Sequence, residues 1–125
     1  MIAIRPWLIV GICAALAACA SEGNLHKPAF DEPLPQAIAT AKTAEDHQAL
    51  AMHFEQEAKA QQAKSAEHVT MADSYEPFSR GPKASAWAPV MAKHCRTLVE
   101  TYRASAKENR ALARLHRKMA QKLSP

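Results

Sequence analysis

Eight of the histidine, methionine and cysteine side chains in this sequence, types that bind soft and borderline metal ions, fall into two groups. His68, Met71, Met91, His94 and Cys95 make one group; His47, His116 and Met119 make the other. Imidazole, thioether and thiolate together suit copper, and imidazole with thiolate also suits zinc. A methionine three residues after a histidine lies on the same face of a helix, so both can reach one ion. The string His-x-x-Met-Ala occurs twice, at His68 and at His116. Neither group carries oxygen ligands of the kind calcium or magnesium takes.

Catalytic chemistry has less support. There is no glycine-rich phosphate loop, no nucleophile elbow and no Cys-x-x-Cys-His for covalent haem. His94 and Cys95 are neighbours in sequence, but successive helical residues point about 100° apart, so the imidazole is not placed to activate the thiol. The chain reads as non-enzymatic. His26 lies outside both groups, and His53 sits at the margin of an apolar stripe.

Two long helices must position these residues. From Gln36 to Glu76 the sequence has no glycine or proline and is rich in Ala, Gln, Glu and Lys, all strong helix formers. Thr43 followed by Asp46 predicts a capping box, and hence a firm helix start at that point. The segment Glu76-Pro77-Phe78-Ser79-Arg80-Gly81-Pro82 breaks the helix. A second helix is expected to begin between Ser85 and Pro89 and to run to about Leu123. No stretch alternates like a strand.

The predicted fold is all-α: an antiparallel hairpin over residues 36–125. Apolar spacings of three and four trace a stripe through Leu50, Phe54, Ala58, Ser65, His68, Met71, Ala72 and Tyr75 on the first helix. On the second the stripe runs through Met91, His94, Leu98, Tyr102, Ser105, Leu112, His116, Met119 and Leu123. Facing residues in such a hairpin have nearly constant summed numbers, and both His68 with Cys95 and His47 with His116 give 163. The two metal-ligand layers would then lie about 30 Å apart, one near the turn and one at the open end.

A shift of 48 residues lays one helix on the other: Leu50 on Leu98, Phe54 on Tyr102, Ala58 on Ala106, His68 on His116 and Met71 on Met119. An internal duplication accounts for this better than chance matching of alanines. Residues 43–76 carry seven acids and two bases, whereas residues 89–125 carry nine bases and two acids. Opposite signs favour these helices as neighbours, though each exposed pair is worth under about 1 kcal/mol. Stripes this poor in large residues bury little area, and small domains are marginal already. Pairing of two hairpins into a homodimeric four-helix bundle is the expected remedy, with an N-terminal third helix as the alternative.

The start of the chain supplies an address. Arg5 precedes an apolar run from Trp7 to Leu16, about half the length that spans a bilayer. The run ends in Leu16-Ala17-Ala18-Cys19, which resembles the lipobox of bacterial lipoproteins. That resemblance implies cleavage after residue 18 and a diacylated Cys19, with residues 19–35, broken by Pro28, Pro33 and Pro35, as a tether. Ala20 and Ser21 stand where an aspartate would signal retention at the inner membrane, so the resemblance implies the outer membrane. Two or more acyl chains anchor stably. The remainder is similar to small bacterial lipoproteins with paired histidine-containing helices, a likeness with no activity attached to it.

Without residues 1–18 the net charge is +3, one less than the +4 of the whole chain because Arg5 is lost. So mild a charge does not point to nucleic acid. Cys95 is the only thiol left beside Cys19, so no internal disulfide is expected. The sequence thus suggests a periplasm-facing lipoprotein that binds copper or zinc, with a structural or adaptor lipoprotein serving an envelope partner as the alternative.

Overall fold

A computed structural model describes residues 32–125. The lipobox, Cys19 and all but the last few residues of the tether lie outside the described residues. Those described form only helices and turns: α1 (Leu34–Thr40), α2 (Ala44–Tyr75), a single 3-10 turn (Glu76–Phe78) and α3 (Ala88–Leu123). The two long helices pack against each other, and α1 touches α2. No helix among the described residues is long and apolar enough to cross a membrane.

The expected helix from Gln36 to Glu76 is two helices. Pro33 caps α1, whose backbone leaves the helical range at Ala41. The capping box at Thr43 is the reason the chain restarts there. The Thr43 hydroxyl accepts from the Asp46 N–H at 3.1 Å, and the Asp46 carboxylate accepts from the N–H groups of Thr43 and Lys42, each at 2.9 Å. Those hydrogen bonds hold the Asp46 carboxyl below its ordinary pKa, the Lys42 contact most strongly. A box closed on Asp46 requires an extended Thr43, so α1 cannot run straight into α2.

At the other end the turn has a defined path. The Ser85 N–H donates to the Phe78 carbonyl at 2.8 Å, and the Ala84 N–H to the Gly81 carbonyl at 3.0 Å. Gly81 has φ of 84°, a left-handed conformation that side chains with a Cβ disfavour. Pro89 lies in the first turn of α3, where its missing N–H costs nothing.

The seam between α2 and α3 is built from small residues spaced by seven. Ala51, Ala58, Ser65 and Ala72 line it on α2; Ala92, Val99, Ala106, Ala113 and Ala120 line it on α3, and all are buried. A strict seven-residue period keeps one face turned toward the partner helix along the whole hairpin. Small side chains let the backbones approach closely, and the Ser65 hydroxyl reaches the Val99 carbonyl at 3.4 Å. Leu50, Phe54 and Cys95 are the larger side chains buried beside this seam.

The stripe expected on α3 is therefore displaced. The buried line runs through Ala92, Cys95 and Val99, one residue along from Met91, His94 and Leu98. Met91, His94, Leu112, Met119 and Leu123 are exposed, with Leu98, Tyr102, Ser105 and His116 half-buried at the seam's edge. The larger residues form a flank about a quarter-turn from the seam, because contact along 30 or more residues of helix is closest where side chains are smallest.

The opposite flank is charged. Arg96, Arg103, Arg110 and Arg117 repeat every seven residues along α3. Arg96 pairs with Glu76 and Arg117 with Glu55, while Arg110 donates to the Gln62 side-chain carbonyl. Arg103 pairs with Glu100 of its own helix at 2.9 Å. The charge difference between the helices thus appears as a few cross-helix pairs, all partly exposed and individually weak.

Candidate metal-binding residues

The open end of the hairpin brings two of the predicted ligands together. His47 sits one turn inside α2, its N–H donating to the Thr43 carbonyl at 3.2 Å. His116 sits two turns from the end of α3. Their Nδ1 atoms are 3.1 Å apart and their ring centroids 5.3 Å apart. At that separation one ring donates an N–H and the other accepts, so the two cannot both carry a proton on Nδ1. Burial, and secondarily the His47 charge, holds the His116 pKa below its ordinary value.

Phe54 supports this pair from below. Its ring lies nearly parallel to that of His116, centroids 5.6 Å apart with 11° between planes, and the His53 ring is steeply tilted to it at 70°, centroids 5.4 Å apart. Met119 is one turn beyond His116, on the exposed flank. Of the three residues grouped at the open end, His47 and His116 touch each other, and Met119 lies on the surface.

The turn-proximal group is distributed differently. His68 stacks on Tyr102, centroids 5.3 Å apart and planes 20° apart, and the Lys64 ammonium lies 5.8 Å from the same ring. His68 Nδ1 is buried with no hydrogen-bond partner. Cys95 is a free thiol only 2 % exposed within the seam. His94 faces solvent, and Met71 and Met91 lie on the surface. Adjacent helical positions explain the division: when Cys95 points into the seam, His94 must point out. Among the described residues no three or more His, Cys, Asp or Glu side chains converge as a metal cage.

The 48-residue relation has a structural counterpart that the sequence only hints at. His68 lies on Tyr102, and its shifted equivalent His116 lies on Phe54, the shifted equivalent of Tyr102. The buried seam obeys the same relation, Ala51 matching Val99, Ala58 matching Ala106, Ser65 matching Ala113 and Ala72 matching Ala120. Each half of the hairpin lends a histidine to the aromatic ring of the other. No signal of these stacks was available from the helical stripe alone, since it treats each helix separately. No family model, curated protein or solved structure matches the chain.

Proposed function

We propose that this chain is a lipid-anchored, non-enzymatic hairpin of the bacterial outer membrane that works by assembly, two copies pairing into a four-helix bundle on the periplasmic side. One observation carries the reading: the larger apolar residues of α3 lie outside the hairpin's own seam. Met91 is 37 % exposed, Leu112 39 %, Met119 43 % and Leu123 49 %. A line of such residues down one helix is costly to leave in water and suits a second helical hairpin. A seam of alanines also buries too little to make two helices comfortably stable alone. The fold-back alternative gains little support from α1, which has seven residues and buries only Ala37.

Charge agrees with this pairing. The arginine ladder occupies the opposite flank, so apolar contact between copies leaves Arg96, Arg103, Arg110 and Arg117 in water. The tether would leave the hairpin at its open end, beside α1, with the exposed Phe78 and Trp87 at the far end. Sedimentation equilibrium of the full chain in mild detergent tests the reading. A dimer is expected, and Leu112→Glu with Met119→Glu should convert it to a monomer that keeps its helix content. A wild-type monomer that unfolds cooperatively at the same concentrations would instead assign the flank to a different envelope partner.

A further inference from the structure

We propose that His47 and His116 together bind a zinc or copper ion, and that the ion clamps the open end of the hairpin. The proposal does not depend on how hairpins associate. The two rings come from different helices and are 69 residues apart in sequence, yet their Nδ1 atoms stand 3.1 Å apart. Two nitrogens bound to one tetrahedral zinc at 2.0–2.1 Å are separated by about 3.3 Å. The separation therefore has to grow by only a few tenths of an ångström, with each ring turning so that its Nδ1 lone pair points at the ion and no longer at the other nitrogen.

The surroundings hold the rings in that arrangement. Phe54, 7 % exposed, lies flat against His116 and sets its plane. The capping box fixes the first turn of α2, from which His47 projects. Groups that orient a ligand in this way commonly change metal affinity by about 10–100-fold when removed. Both histidines are half-buried rather than enclosed, so an ion can enter from the open end.

The proton balance is simple. One ring holds a proton on Nδ1 and shares it with the other. On binding, that ring moves its proton to Nε2 through solvent, and both Nδ1 lone pairs turn to the metal. Two neutral imidazoles then bind one ion, with water completing its coordination. No proton is released and no oxidant or reductant is required. Cys95 takes no part, because it lies in the closed seam remote from this end.

Competition of the full, untagged chain with a chromogenic chelator, using ZnCl2 and then Cu(I) under reducing conditions, tests the site. One ion per chain is expected. His47→Ala and His116→Ala should each weaken binding at least about tenfold, whereas His68→Ala and Cys95→Ser should leave it unchanged. Because alanine removes side-chain packing at the helix ends, His116→Gln is measured beside them. It keeps bulk and helix content but lacks the nitrogen donor, and should bind as weakly as His116→Ala. Nitrogen-15 spectra of the histidine rings should show the His47 and His116 signals moving first. Absence of binding by the wild type, its survival in the double variant His47→Ala with His116→Ala, or its loss in Cys95→Ser would each overturn the proposal.

Discussion

His116 lies flat on Phe54, with ring centroids 5.6 Å apart and planes 11° from parallel, while its Nδ1 meets that of His47 at 3.1 Å. One side chain of α3 is thus held by two of α2, seven residues apart. This arrangement ties the two helices together at the open end of the hairpin, where helices would ordinarily fray. Phe54 is the residue on which it depends. Phe54→Ala should cost about 3 kcal/mol in urea unfolding, more than Tyr102→Ala at the half-buried equivalent position.

The histidine pair makes metal-free stability depend on pH. His116 has a folded-state pKa below its ordinary 6.5, chiefly through burial. In the unfolded chain it takes a proton near 6.5, while the folded state resists protonation until lower pH. Between those two values the unfolded state binds more protons, so stability falls as pH is lowered from about 6.5 and levels off below the folded pKa. Thermal melts from pH 7.5 to 4.5 should show this fall, and His116→Gln should flatten it. An unchanged slope in that variant would place the pH dependence elsewhere.

The seam should reject bulk where the flank accepts change. Ala58→Leu or Ala106→Leu inserts three carbons where 2 % or less of the residue is exposed, and should cost about 1–3 kcal/mol. Leu112→Ala, on the exposed flank, should leave the hairpin's helix content untouched but lower its tendency to associate. Circular dichroism melts combined with sedimentation distinguish the two effects.

Cys95 should behave as a protected thiol. At 2 % exposure it should react with a thiol reagent only as fast as the hairpin opens, and at the free-cysteine rate in denaturant. Immediate stoichiometric labelling of the native protein would show that the seam opens near the turn.

The capping box predicts a local effect with a distant readout. Thr43→Ala removes the acceptor for the Asp46 N–H and should cost about 1 kcal/mol. It should also loosen His47, one turn away, so the rise in hydrogen exchange ought to be greatest at residues 44–48. A uniform increase along α2 would mean that the cap stabilises the whole helix and does not specifically hold this end.

The all-α class, the capping box at Thr43, the break around Gly81 and the start and end of α3 are local matters, and the sequence alone determined them. Propensity, a side-chain cap and two prolines each act within a few residues, so no partner is needed to read them. The meeting of His47 with His116 was also legible, because an antiparallel pair with a known turn has only one register to within a few residues. The rotation of α3 about its own axis was decided by tertiary structure. The sequence pattern favours the larger residues Met91, Leu98 and Leu112 for the seam, yet close packing of two helices selects Ala92, Val99 and Ala113. That quarter-turn sends His94 outward and Cys95 inward, and puts His68 against Tyr102. Amphipathic spacing states that a helix has an apolar side; how near the neighbouring backbone can come determines which edge of that side is buried, and only the packed pair contains that distance.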